Sequence, residues 1–288
     1  MGWLSSIGSA ISSVGRAIGG ALSSVGGAIG RVFGAAGGML GAIGTKALGL
    51  FGSLSAIVAG PLGPILGPVI IQIVIEVAAR TIGKIAHKLG IIDKDEKVEE
   101  VGYRMEEAAL HEEWKTPEDF ANMRDYYRYL KEMIPDEELD HQKIRENRLY
   151  YLGVGTAALT QGLEKQVEIV LPEDFVTEIG RNDMKEAEIR AVIQAFKSLG
   201  RVSVDLHQFL RGELPGKDLE DITKALVDSY QKIYPEQTEE AVFERINEWR
   251  RNSRDDSYMA EKVHGDRYMD YKKQADRGIA YQDIKVLE

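Results

Sequence analysis

The chain has 288 residues, no cysteine and a formal net charge of −10. The length suits one sizeable domain with an added module, or two small domains. The missing thiols exclude a disulfide framework, a Cys-based zinc site and thiol chemistry. The acidic balance argues against a general nucleic-acid binder, which needs a basic surface.

Charge is distributed unevenly. Residues 1–75 carry only Arg16, Arg31 and Lys46, and Glu76 is the first acid. The remainder holds 33 Lys+Arg against 46 Asp+Glu, a balance of −13. Eighteen of the 30 glycines lie in residues 1–75. Composition therefore predicts two parts with different surroundings and a boundary near 76–92. A secretory signal is a poor reading of the start, because the first basic residue is Arg16 and Gly and Ser interrupt each apolar stretch.

The first element is repetitive. SSVGRAIGGAL (12–22) is followed by SSVGGAIGRVF (23–33), with a weaker copy, GAAGGMLGAIG (34–44), and a shortened one, SSIGSAI (5–11). Eleven residues fit three helical turns, so the repeat predicts helix over residues 1–60. Each interior glycine costs such a helix about 0.5–1 kcal/mol relative to alanine, so something must offset the loss. Close backbone packing through Gly15, Gly19, Gly26, Gly30, Gly34 and Gly38 is the expected compensation, with Ile18, Val25, Ile29 and Phe33 as the apolar partners. A bilayer and a neighbouring copy of the chain would each supply it. A solvated low-complexity linker is the bland alternative.

Residues 47–75 carry no charge, a run longer than the ~20 residues that cross a bilayer core. PLGPILGP interrupts it. Pro61, Gly63, Pro64, Gly67 and Pro68 are expected to form a hinge between helices at Leu48–Ala59 and Val69–Leu89. Two half-length helices about a hinge suit a hairpin insertion. Arg80, Lys84, His87 and Lys88 then give the second helix a basic end, suited to its C-terminal dipole and to anionic lipid. Residues 61–92 are read as this hinge and amphipathic helix.

Residues 93–252 read as an acidic, all-α domain. Asp93 is expected to cap a helix to about Lys115. Thr116-Pro117-Glu118-Asp119 opens the next, to Ile134, and Asp136 caps a third, to about Lys165. Val98, Val101, Met105, Ala109, Phe120, Met123, Tyr127, Leu130, residues 149–152 and Val154 are core candidates. Further helices are expected at 173–180, 183–199, 203–211, 217–233 and 239–252, with Gly200 ending the second of these. QVEIVL (166–171) is strand-like and too short to imply a sheet. Residues 253–288 read as a polar tail that is either solvated or docked on a neighbour through its scattered tyrosines.

No catalytic site can be assembled. His111-Glu112-Glu113 begins like a zinc-protease motif, but Lys115 replaces the second ligand. Residues 188–210 resemble a helix–loop–helix calcium site, but the loop, residues 198–203, does not place side-chain oxygens at the alternating positions calcium needs. Gly153-Val154-Gly155 has no preceding strand to make a phosphate loop. No metal, cofactor or enzymatic activity is expected.

The repeat at 5–44 and PLGPILGP give the chain an architecture that resembles the ejection, or pilot, proteins carried inside virions of tailed bacteriophages. The resemblance covers the first quarter of the chain and carries over no individual residue. It implies a homo-oligomer in the virion, contact with other virion proteins and delivery into the host envelope, with nucleic acid only as transported cargo. Two other classes fit the same features. One is a pore-forming toxin or bacteriocin. The other is a structural tail or tape-measure-like component packed in a tube.

Overall fold

The computed structural model describes residues 22–59, 63–256, 258–259 and 265–266. Those residues are helical, as the periodicity predicts. Residues 22–33 form α1. After it come α2 (Gly38–Ala59), α3 (Gly63–Lys88), α4 (Val98–Leu110), α5 (Met123–Met133), α6 (His141–Glu146) and α7 (Arg148–Val167). The order then runs α8 (Glu173–Arg181), α9 (Glu186–Ser198), α10 (Leu206–Arg211), α11 (Gly216–Ile233) and α12 (Glu239–Arg254). The strand-like segment makes a single parallel bridge, Val170 to Ser203, with no named strand among the described residues. Of the expected polar tail, residues 257, 260–264 and 267–288 lie outside the described residues. Ser253 and Met259 are buried in the core.

The acidic half departs from its expected boundaries for local reasons. α4 starts at Val98, not near Asp93. Glu100 reaches back to accept from the Lys97 N–H at 3.2 Å, so the cap forms there. Thr116 opens only a one-turn 3-10 helix, Pro117–Asp119, in which Asp119 accepts from the Thr116 N–H at 2.8 Å. The next α-helix starts after Asn122, whose side chain caps the Asp125 N–H at 3.0 Å. Asp136 heads a 3-10 turn, because its carboxylate is drawn to Arg104 at 2.6 Å and Lys131 at 3.5 Å. Asp140 then caps the short α6, and α7 follows as a separate helix. Gly200 adopts φ +68 after α9, the left-handed conformation expected of a helix terminator.

PLGPILGP is not a hinge over its described length. Gly63, Pro64, Gly67 and Pro68 stand in the first two turns of α3, while Pro61 lies outside the described residues. Pro64 is the second helical residue, where an N–H would have no intrahelical acceptor. Pro68 forfeits one bond close to the helix end, a smaller loss than a mid-helix proline would cause.

α2 and α3, three residues apart in sequence, pack on each other and form a helical hairpin. Both helices also pack on α7 and α8. Every residue from 70 to 79 is buried, so this part of α3 is enclosed on all sides, as a helix is inside a protein or a membrane. The acidic helices supply that interior. One continuous hydrophobic core runs from Ile29 and Phe33 through Val74 to Ile179, Trp249 and Met259. The change of composition near residue 76 is therefore not a break in the core.

Candidate functional site

The hairpin's two buried charges, Lys46 and Glu76, are each met by a partner from the acidic helices. Lys46, 6 % exposed, is the only charge in α2. Its ammonium donates to Glu164 of α7 at 3.0 Å and to the Leu171 carbonyl at 2.8 Å. Glu164 also accepts from the Leu171 N–H at 2.5 Å, so one carboxylate ties α2 to the end of α7 and to the segment after it. Glu76, buried in the middle of α3, takes Arg148 at the start of α7 at 2.7 Å and Gln72 at 3.1 Å. A charge buried among apolar side chains needs such a partner.

The helix ends are held in the same way. α2 has no acid in its first turn. Glu118, from the 3-10 turn before α5, supplies one, accepting from the Met39 N–H at 2.5 Å. A carboxylate there satisfies a free donor and meets the positive end of the helix dipole. At the far end of α3, Lys88 pairs with Glu186 of α9 at 2.9 Å. His87 contacts the Glu96 carbonyl at 2.9 Å. Arg80 and Lys84, one turn apart, face solvent.

The expected packing residues divide. Ile29 and Phe33 of α1 are buried, and Val25 is half-buried against the core. Phe33 sits over Gly44, where an added Cβ would collide with the Phe33 side chain. Among the described residues, Gly26, Gly30, Gly34 and Gly38 make no close backbone contact with another helix. Gly26 has only Leu48 within reach, at 3.9 Å from an added Cβ, and Gly30 faces open space. An added Cβ at Gly34 would strike the chain's own backbone at Gly30, and Gly38 serves a turn with φ +57 beside Glu118. Gly15, Gly19 and Ile18 lie outside the described residues.

Close glycine packing occurs elsewhere. α4 crosses α7 with Gly102 against the Tyr151 carbonyl and Gly155 against the Val98 carbonyl, both too tight for any Cβ. Gly180 of α8 is pressed against the Val74 backbone of α3, and Gly153 carries the ring of Phe51 from α2. Gly153-Val154-Gly155 is thus a helix-crossing seat, which its apolar helical surroundings could have indicated. Beside it the Tyr151 hydroxyl donates to Glu106 at 2.6 Å. Burial, reinforced by Glu106, pushes the hydroxyls of Tyr150 and Tyr151 well above the usual tyrosine range, so both remain protonated. The sequence marks Lys46 and Glu76 as isolated charges and gives no local pointer to Arg148 and Glu164. The signal was present for the first two, since an isolated charge in an apolar run calls for a partner.

Among the described residues no helix is long and apolar enough to cross a membrane. No group of three or more His, Asp or Glu there is arranged to hold a metal ion. His111 instead contacts Glu113 at 2.9 Å and stacks on Trp114 at 4.5 Å. The chain matches no known protein family, curated protein or solved structure.

Proposed function

We propose that this chain is a virion-borne ejection protein of the tailed-bacteriophage kind, whose acidic helices carry the apolar α2–α3 hairpin and release it at the host envelope. The burial of every residue from 70 to 79 supports this reading most. An apolar helix sheathed by amphipathic ones is stable in water, and the same helix can exchange its protein sheath for lipid. The ion pairs at Lys46 and Glu76 and the Glu118 contact are the polar attachments that release would have to break. Arg80 and Lys84 offer a basic stripe toward an anionic headgroup surface. The open face at Gly30 suits packing between copies of the chain once α1 is released.

The sheathed hairpin supports a second reading, a pore-forming toxin or bacteriocin, because attack on a competitor's membrane would use the same exchange. Dye release from vesicles rich in phosphatidylglycerol tests the part common to both. Full-length protein is expected to release dye and to partition with the vesicles; failure to do either removes both readings and leaves a structural role within a tube. Neighbouring capsid, portal or tail genes would support the virion reading. Killing of bacteria by externally added protein would support the toxin.

A further inference from the structure

A cleft of about 570 Å³ opens between α8, α10 and the end of α12, with Ser53 of α2 on its wall. Its size is that of a small-molecule site. Asp174, Thr177 and Arg181 share one face of α8. His207 and Arg211 share one face of α10, and Arg254 reaches in from the last turn of α12.

Two observations point to a ligand. First, buried polar atoms on the α8 face have no hydrogen-bond partner among the described residues: Thr177 Oγ1, Arg181 Nε and Asp174 Oδ1. Thr177 is 4 % exposed and Arg181 7 %. Interiors satisfy such atoms almost without exception, and each one left alone costs about 1–3 kcal/mol. Second, the cleft has more donors than acceptors. Arg254 makes no hydrogen bond or ion pair among the described residues, and its charge adds to burial, the larger cause, in lowering the pKa of neighbouring Arg250. His207 is held by Glu178 at 2.8 Å through Nδ1, leaving Nε2 free. Glu178 is fully buried and also accepts from Ser253 and Asn182. That hydrogen bond raises the His207 pKa and favours imidazolium. Of the other acids at the cleft, two are already engaged, and Asp174 keeps an unpartnered oxygen. Asp256 takes Arg181, and Glu213 takes Arg211 at 2.8 Å.

We infer that this cleft binds a small phosphate-type oxyanion, free or as the headgroup of a larger molecule, with Arg254 and His207 donating to its oxygens and Thr177 completing the cradle. Guanidinium and imidazolium groups converging on one volume match a tetrahedral, multiply charged acceptor. Asp174 Oδ1 is placed to accept from a hydroxyl or ammonium elsewhere on the ligand. The inference is independent of the membrane reading.

The test is thermal unfolding and titration calorimetry of the full chain in sodium phosphate against sodium chloride at equal ionic strength. Phosphate is expected to raise the wild-type Tm. Arg254→Gln, at an exposed side chain with no partner to lose, is expected to keep the wild-type Tm in chloride and weaken phosphate binding at least tenfold. His207→Gln should weaken it too, most clearly below neutral pH. Arg128→Gln, on α5, should bind as wild type. Glycerol phosphate binding tighter than inorganic phosphate would assign a headgroup, and equal binding would assign the free ion; either supports the site. A phosphate effect no larger than that of chloride, or one equal in wild type and Arg254→Gln, would overturn it.

Discussion

A lysine in an otherwise uncharged helix shows most directly how this chain is held together. Lys46 sits almost entirely out of water, opposite Glu164 and the Leu171 carbonyl. Truncating one member of a buried ion pair leaves the other charged and unsolvated, so Lys46→Ala should lower unfolding stability by about 3 kcal/mol, measured by urea denaturation. A loss below about 1 kcal/mol would mean that water already reaches the pair. At Gly155, where the Val98 carbonyl occupies the place of a Cβ, Gly155→Ala should cost about 2 kcal/mol or more by forcing α4 and α7 apart. His207 sets a pH dependence. Hydrogen bonding to Glu178 raises its pKa above the usual 6.5, Asp174 adds to the rise, and burial and Arg211 oppose it. The folded state therefore holds the proton more tightly than the unfolded one. Its stabilising contribution is complete below about pH 6.5 and is lost as pH rises through the higher folded value. Stability against pH should be flatter above 6.5 in His207→Gln than in wild type. The sequence marks Lys46 and Glu76 as isolated charges, but their partners lie 118 and 72 residues away. No local pattern connects them.

At the scale of elements, periodicity and caps are readable and competition for side chains is not. α9 to α12 appear close to where apolar spacing and Gly200 place them. Asp93, Thr116 and Asp136 look equally able to start helices. None starts the long helix expected of it. Asp136 is taken by Arg104 across the fold, and the Glu118 that should support its own helix caps α2 instead. Removing the Glu118 charge with Glu118→Gln should loosen the start of α2, seen as faster amide exchange at its first turn, with a global loss under about 1 kcal/mol. The prolines at 64 and 68 mislead for a related reason, since position within the helix decides their cost. In α1, Gly30 faces nothing among the described residues. Gly30→Ala should therefore stabilise the isolated protein by about 0.5–1 kcal/mol. Gly26→Leu with Gly30→Leu is expected to abolish assembly or delivery while the acidic helices stay folded. Normal function of that variant would remove close glycine packing from the mechanism.

For the whole molecule, composition suggests two parts, yet Ile29, Val74 and Trp249 belong to one core. Sequence alone could not show this, because an apolar segment is satisfied equally by lipid, by a copy of itself or by amphipathic helices further along its own chain. The last option is the one realised among the described residues, so delivery to a membrane requires the hairpin to leave the acidic helices. The absence of cysteine makes that requirement testable by a single engineered disulfide. A Cβ on Gly49 would stand 2.9 Å from that of Glu173. The pair Gly49→Cys with Glu173→Cys thus needs about 1 Å of adjustment to bridge α2 to α8. Dye release from anionic vesicles should be lost in the oxidised double variant and return on reduction, with each single variant active throughout. Equal release by the oxidised and reduced forms would contradict the proposal that the hairpin leaves its sheath.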